Sequence, residues 1–172
     1  MKSCPLPTAC RSAVLGKGCP YFKEKIMKKN FQTDNDVSMP SWAPEPVEGD
    51  FSLTDFSFAD GSIFPTLNLH YATLGQPQKD ANGVVRNAVL ILHGTGGSGQ
   101  AFLNEPFAGA LFKPGQLLDA ARYYIILPDG IGHGQSSKPS DGMHARFPNY
   151  GYRDMFDADY KMLTDGLHVN HR

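Results

Sequence analysis

Apolar and polar residues alternate along two neighbouring stretches in the first half of the chain. Phe51 to Phe58 carries apolar side chains mostly at every second position, and Leu67 to Tyr71 repeats the pattern. A period of two is typical of a strand that buries one face. Asp60-Gly61 lies between the two stretches and is a turn sequence. The pattern therefore predicts an antiparallel β-hairpin.

Two later segments are apolar without alternation. Ala88 to Leu92 and Tyr123 to Leu127 are both of strand length, and a continuous apolar run is typical of a strand covered on both faces. Between them lie a glycine-rich loop, Gly94 to Gly99, and a stretch from Gln100 to Phe112 that is helical in part, with Pro106 interrupting the pattern. This order predicts a parallel sheet with helices.

A third pattern occupies the last part of the chain, where apolar residues recur at intervals of three or four: Tyr152, Met155, Phe156, Tyr160, Leu163 and Leu167. This spacing predicts a helix with one apolar stripe that packs on the core. No further strand follows before Arg172, so the sheet edge and the helix would lack partners. We expect that the C-terminal half of the domain is missing and that the open edge promotes self-association.

The first 50 residues differ in composition from the rest. The first 30 contain seven Lys or Arg against one Glu, and residues 30–50 are rich in Pro and Ser. We predict a basic, then Pro-rich, disordered leader over residues 1–50 and a folded region over residues 51–172. The folded region is acidic, which argues against nucleic acid as a partner.

Length and composition narrow the class of protein. The chain has 172 residues, 41% of them hydrophobic, which suits one globular domain. No apolar run approaches the roughly 18 residues of a membrane-spanning helix, so no membrane association is predicted. The three cysteines all lie in the leader, at spacings that match no zinc site, and the leader lacks a secretory apolar segment. A cytoplasmic protein without a metal is expected.

The glycine-rich loop matches two nucleotide-binding patterns on paper. As a P-loop it fails, because Gln100 and Ala101 replace the lysine and the hydroxyl residue that the chemistry requires. As a dinucleotide fingerprint, Gly94, Gly96 and Gly99 fit, although the nearest following acidic candidate, Asp129, lies about 30 residues beyond Gly99 rather than about 20. A dinucleotide-binding module therefore stays open as an alternative.

A third interpretation assigns both loops that follow the apolar strands to acyl chemistry. Glycines let a backbone N–H approach an oxygen that becomes negative during acyl transfer. The second loop, Pro128-Asp129-x-x-Gly132-x-Gly134-x-Ser136, follows the next strand at the same sheet edge. Two such loops in this order are stronger evidence for acyl chemistry than the glycine-rich loop alone.

Four segments carry a resemblance to a known family: Leu67-x-Leu69-x-Tyr71-x-Thr73-x-Gly75, Leu92-His-Gly-Thr-Gly-Gly, Leu127-Pro-Asp-Gly-Ile-Gly-His-Gly-Gln-Ser-Ser, and Asp154-Met to Leu167-x-Val169. With them, residues 51–172 resemble the N-terminal half of an α/β-hydrolase of the homoserine O-acetyltransferase-like group. The resemblance implies an incomplete α/β-hydrolase fold.

The same resemblance implies roles for individual residues. It places the backbone N–H of Thr95 in an oxyanion hole, in a turn shaped by Gly94 and Gly96. Residues with supporting roles are His93, which orients the loop, Asp129, which fixes the second turn through hydrogen bonds, and Gly132 and His133 in that turn. The loop His-Gly-Thr-Gly-Gly is typical of esterase-like relatives, whereas homoserine acetyltransferases usually have His-Ala-Leu-Thr-Gly.

The chain contains no G-x-S-x-G nucleophile motif, and Gly96 to Gln100 is only a near match placed one strand too early. The resemblance places the serine, the acid and the histidine beyond Arg172. It implies a serine-dependent acyl hydrolase or O-acyltransferase acting on a small acyl ester or acyl donor without a cofactor, and it implies that this chain alone is inactive. The alternative is a non-enzymatic fragment or one half of a two-chain assembly.

Overall fold

A four-stranded sheet forms the centre of the computed structural model, which describes residues 41–170. The spatial order of its strands is β1-β2-β4-β3. The elements are β1 Val47–Ser57, β2 Ile63–Leu74, β3 Ala88–Leu90, a 3₁₀ turn Gly99–Phe102, α1 Glu105–Leu111, β4 Tyr124–Pro128, two further 3₁₀ turns Pro139–Asp141 and His144–Arg146, α2 Tyr152–Lys161, and a π-helical turn Met162–Gly166.

The predicted hairpin is confirmed by the pairing of β1 with β2. The strands are antiparallel, with Phe51 opposite Leu69 and Leu53 opposite Leu67. Strand β1 starts at Val47, four residues before the predicted boundary at Phe51, and its first four residues pair with β2. Backbone pairing does not need the apolar alternation that marks the later residues of the strand. Residues 1–40 of the predicted disordered leader lie outside the described residues.

Strand β4 is one of the two interior strands of the sheet and is buried along its whole length. It pairs antiparallel with β2 and parallel with β3. The expectation that β3 is covered on both faces is not met, because its three residues are only half-buried and Leu92 just beyond it is exposed. Within the described part of the chain, β3 pairs on one side only, so it has fewer neighbours than β4.

The two faces of the sheet carry separate apolar clusters. One contains residues of the hairpin with α2 and its following turn, including Leu53, Leu67, Ile126, Ala158 and Met162. The other packs α1 and its flanks against the opposite face, with the members Ala72, Leu74, Leu103, Ala108, Phe112, Ala120, Ile125 and Leu127. Successive strand residues point to opposite faces, so β4 contributes to both clusters.

Helix α1 begins next to Pro106, the residue that was expected to interrupt a helix. The stretch from Gln100 to Phe112 divides into the 3₁₀ turn and α1, and Pro106 lies in the first turn of α1, where its missing N–H costs nothing. The side chain of Asn104 caps the helix by accepting a hydrogen bond from the N–H of Phe107 at 3.0 Å.

Helix α2 and the turn that follows it pack only part of the predicted stripe on the core, since Met155, Leu163 and Leu167 contact the first cluster. The predicted stripe residues Tyr152, Phe156 and Tyr160 are exposed, whereas the buried residues are Asp154, Ala158, Asp159 and Met162. The carboxylate of Asp154 accepts hydrogen bonds from the N–H of Ala59 at 2.6 Å and from that of Gly151 at 2.8 Å. These two bonds fix the rotation of the helix about its axis, so the aromatic stripe is not core packing. No helix among residues 41–170 is long and apolar enough to cross a membrane.

Candidate active site

The loop after β3 is a tight turn that exposes a backbone donor. The N–H of Gly97 donates to the carbonyl of Gly94 at 3.0 Å, and Gly96 has a positive φ of 80°, which favours glycine. The N–H of Thr95 donates no hydrogen bond within residues 41–170. Thr95 is exposed, so this donor is available to a ligand.

His93 joins the first loop to the second. Its Nε2 accepts a hydrogen bond from the N–H of Gly130 at 2.9 Å, and its Nδ1 lies 2.9 Å from the carbonyl oxygen of Gly94. These partners require that Nδ1 carry the proton and that Nε2 be unprotonated. Both ring nitrogens are therefore engaged by the backbone, and the geometry is that of a positioning residue.

The side chain of Asp129 connects the two loops. One carboxylate oxygen accepts from the N–H of Gly99 and the other from the N–H of Gln135, both at 2.7 Å. The side chain is buried and lies against Gly134, which has a positive φ of 51°. A buried carboxylate is stable here because backbone donors replace its hydration.

The second loop folds back on itself beyond Asp129. Gly132 has a φ of 84°, and its N–H donates to the carbonyl of Ser137 at 2.9 Å. The hydroxyl of Tyr150 occupies the space that a side chain at position 132 would need. His133 follows, with Nδ1 3.1 Å from the carbonyl oxygen of Ile131 and its ring centroid 5.1 Å from that of His93.

A cleft of about 360 Å³ opens between these loops and the start of α2. Its lining consists of His93, Gly94, Thr95, His133, Tyr150, Gly151, Tyr152 and Met155. The sequence-predicted residues His93, Gly94, Thr95 and His133 are therefore brought together, whereas Asp129 lies behind the cleft and supports it. Gly96 and Gly132 shape the two turns without lining the cleft.

None of the loop serines Ser98, Ser136 and Ser137 is placed as a nucleophile. The Ser137 hydroxyl accepts a hydrogen bond from the N–H of Asn68 at 3.0 Å. Ser136 is fully buried, and its hydroxyl donates to the carbonyl of Asp129 at 2.7 Å while accepting from the N–H of His70 at 2.9 Å. Ser98 lies at the start of the 3₁₀ turn and its side chain makes no capping hydrogen bond. Within residues 41–170, no group of three or more His, Cys, Asp or Glu could hold a metal ion.

Two features near the site had no signal in the sequence. His70 is buried in β2 between Asp50 and Gln135, with Nδ1 2.9 Å from the Asp50 carboxylate and Nε2 3.1 Å from the Gln135 amide nitrogen. This network ties the hairpin to the second loop. Their separations in sequence are 20 and 65 residues, so no local pattern could reveal the contact.

The second feature is Asp159, a buried carboxyl on α2. It lies in a cleft of about 290 Å³, lined mainly by apolar groups: Leu92, His93, Pro128, Gly130, Tyr152, Met155, Phe156 and Asp159 itself. Burial in these surroundings raises the pKa of Asp159 to about 6, because it penalises the charged form. The sequence pattern placed this residue only within the predicted C-terminal helix.

Comparison with known proteins defines the fold. The chain superposes on an acetylester hydrolase from Corynebacterium glutamicum with a TM-score of 0.58 and 23% sequence identity, over 69% of this chain and 33% of that one. The described residues therefore form part of an α/β-hydrolase fold, as the sequence predicted. No protein-family model matches the chain.

Sequence similarity points to acyltransferases with this fold. The chain is 32% identical over 123 residues to a homoserine O-acetyltransferase from Thermobifida fusca, covering 63% of this chain and 31% of the relative. It is 29% identical over 116 residues to a probable acyltransferase from Methanothermobacter thermautotrophicus, covering 67% and 35%. The chain is thus similar in sequence to acyltransferases, and it spans about a third of the length of the curated relatives it matches.

Proposed function

We propose that this chain supplies the oxyanion-binding part of a serine-dependent acyl hydrolase or O-acyltransferase. The observation that carries the proposal is the unpaired N–H of Thr95, on a residue that lines the cleft between the two loops. A preorganised backbone donor of this kind stabilises the negative oxygen of a tetrahedral intermediate. A small acyl ester or acyl donor is the substrate class that such a cleft would take, and no cofactor is needed.

The supporting residues give this donor a fixed position. His93 bonds to the backbone of both loops, and Asp129 holds the N–H groups of Gly99 and Gln135. An oxyanion hole is effective when its donors need no reorganisation as charge develops. We therefore assign His93 and Asp129 to positioning, and His133 to the cleft wall.

The reaction also needs a nucleophile, an acid and a base. The sequence has no G-x-S-x-G motif, and within residues 41–170 none of the three loop serines is hydrogen-bonded to a histidine side chain. On this proposal the described residues bind the oxyanion, and the chain alone turns over no ester. Residues outside the two loops would decide between ester hydrolysis and transfer to an alcohol. The predicted compartment is the cytoplasm.

Turnover by the chain alone gives the first test. Purified residues 1–172 should hydrolyse short-chain p-nitrophenyl esters no faster than buffer. Hydrolysis that persists through purification and disappears in Ser98→Ala would show that the chain holds its own nucleophile, contrary to the proposal. A Ser137→Ala variant is the matched control.

A chimera tests the oxyanion role directly. The 123-residue segment of the Thermobifida fusca homoserine O-acetyltransferase to which this chain aligns would be replaced by this chain's residues. In the folded chimera, Thr95→Pro removes the N–H and should lower kcat by about 100-fold or more, whereas Thr95→Ala keeps the N–H and should retain most activity. Circular dichroism confirms that the three proteins fold alike, and equal kcat values for them would refute the assignment of Thr95.

A further inference from the structure

The two histidines of the cleft use their ring nitrogens differently. His93 is engaged at both, because Nδ1 lies 2.9 Å from the carbonyl oxygen of Gly94 and Nε2 accepts from the N–H of Gly130. His133 is engaged at Nδ1 only, 3.1 Å from the carbonyl oxygen of Ile131, and within residues 41–170 its Nε2 makes no hydrogen bond. A carbonyl oxygen can only accept, so Nδ1 of His133 carries a proton and Nε2 is the open position of the ring.

The open nitrogen belongs to a residue that lines the same cleft as the backbone donor of Thr95. Both residues line the cleft of about 360 Å³. The ring of His133 packs on that of His93 with a centroid separation of 5.1 Å, and Nδ1 of His93 bonds to Gly94, the residue before Thr95. The two stacked rings therefore connect the second loop to the turn that carries the donor.

A proton at Nε2 would affect the two rings in opposite ways. In His93 it would replace the acceptor of the Gly130 N–H by a second donor and break that hydrogen bond. In His133 it would break no hydrogen bond and would turn Nε2 into a charged donor. Of the two histidines, His133 is therefore the one that can bring positive charge into the cleft.

The surroundings of His133 leave this charge without a protein partner. The described residues that line the cleft include no carboxylate and no Lys or Arg, and their other titratable groups are His93, Tyr150 and Tyr152. Asp129 and Asp154 are buried outside this lining, and each accepts two backbone N–H groups. Asp159 lies in the neighbouring cleft of 290 Å³. A positive charge at His133 is thus available to an anion that enters from solvent.

We propose that this cleft binds a short-chain carboxylate, with one oxygen on the N–H of Thr95 and the other on the protonated Nε2 of His133. Hydrogen bonds between an imidazolium and a carboxylate are stronger than neutral ones, and binding of the anion takes up one proton at Nε2. The inference rests on the proposed function, because hydrolysis of an acyl ester releases a carboxylate. It makes His133 a ligand contact in addition to a part of the cleft wall.

Acetate is the probe, and the imidazole signals of the full chain give the readout. NMR of the histidine Cε1–Hε1 groups follows a titration with sodium acetate to about 100 mM, with the ionic strength held constant by sodium chloride. The His133 signal should shift, and the affinity for acetate should fall about tenfold or more between pH 6 and pH 8, because binding takes up a proton. Acetamide, which has a similar shape without the charge, should not bind more tightly at pH 6 than at pH 8.

Single substitutions assign the two contacts. His133→Gln keeps a polar side chain without the charge, so its affinity for acetate at pH 6 should fall to about the wild-type value at pH 8. Thr95→Pro removes the backbone donor and should weaken binding about tenfold at both pH values. His144→Asn, at an exposed histidine outside the cleft, and Asp159→Asn, in the neighbouring cleft, are controls that should keep the wild-type pH dependence. Circular dichroism confirms that all variants fold alike.

Three results would overturn the inference. They are a His133 signal that acetate does not move, an acetate affinity that is equal at pH 6 and pH 8, and a pH dependence that disappears in Asp159→Asn instead of in His133→Gln. None of them bears on the proposed oxyanion role, which the kcat values of the Thr95 variants in the chimera decide. Equal kcat values there would refute that role, whereas the acetate titration decides the binding site separately.

Discussion

Asp129 and Asp159 show how the surroundings of a carboxyl group decide what it does. Both are buried, but Asp129 receives backbone N–H groups at both oxygens, whereas Asp159 lies in an apolar cleft and no side-chain hydrogen bond to it is present within residues 41–170. The first is thereby held as an acceptor that organises two loops. In the second, burial disfavours the charged form and raises the pKa of Asp159 to about 6.

The raised pKa of Asp159 predicts a pH-dependent stability. Because the folded pKa of about 6 exceeds the ordinary aspartate pKa of 3.8, the folded state binds the proton more tightly than the unfolded state. Stability contributed by the protonated group is fully present below about pH 4 and is lost as the pH rises to about 6. Asp159→Asn should therefore match the wild type near pH 3 and exceed it by up to about 3 kcal/mol at pH 7.

Urea unfolding of both proteins between pH 3 and pH 8 measures this difference. Other carboxylates, whose pKa values are lowered by hydrogen bonds, contribute equally to both proteins and cancel: Asp60, Asp80, Asp119 and Asp141. Asp157→Asn, on the exposed side of the same helix, is the control variant. A difference between Asp159→Asn and the wild type that is constant over the range would contradict the prediction.

Among the elements, β2 ends in a tightly constrained turn. Gly75 follows the strand with a φ of 76°, and a Cβ there would meet the carbonyl oxygens of Tyr123 and Ala120 at less than contact distance. Both atoms belong to the backbone that leads into β4. The close contact between the end of β2 and the segment before β4 therefore requires glycine at position 75.

Gly75→Ala should destabilise the fold by about 3 kcal/mol or more, because backbone must move in addition to the strain of a positive φ. Gly61→Ala is the matched control: its φ is 86°, but nothing lies within 4 Å of the added carbon. It should cost only about 1 kcal/mol. Urea midpoints measure both, and equal losses would show that the close contacts at Gly75 relax without cost.

For the whole molecule, β4 is one of two strands, with β2, that contribute residues to both apolar clusters. Ile125 belongs to the cluster that packs α1, Ile126 belongs to the cluster that packs α2, and both are fully buried. One strand thus joins the two faces of the sheet. Loss of packing in one cluster should also destabilise the other cluster, because β4 contributes residues to both.

The fluorescence of Trp42 can report the coupling between the two clusters. Trp42 is the single tryptophan in the sequence and packs against the cluster of Ile125. Ile125→Ala and Ile126→Ala should each lower the free energy of unfolding by about 2–5 kcal/mol, with the same shift in Trp42 fluorescence and in circular dichroism. Exposed Ile63→Ala should change it by less than about 0.5 kcal/mol. If Ile126→Ala left the Trp42 transition in place, the two faces would unfold separately.

Local patterns determined much of the fold and of the candidate site. Alternation predicted the β1–β2 hairpin, a continuous apolar run predicted the buried strand β4, and glycine spacing located both loops. These predictions succeed because a side chain's direction in a strand, and a turn's tolerance for positive φ, are properties of a few consecutive residues.

Tertiary structure decided what depends on residues far apart in the chain. The spacing of Tyr152, Phe156 and Tyr160 predicted a helix with an aromatic stripe, but the contact of Asp154 with Ala59, 95 residues away, turns that stripe outward. The bond from Gly130 to His93 and the apolar surroundings of Asp159 arise in the same way. A helical period fixes which residues share a face, whereas only the packed neighbours determine which face is buried.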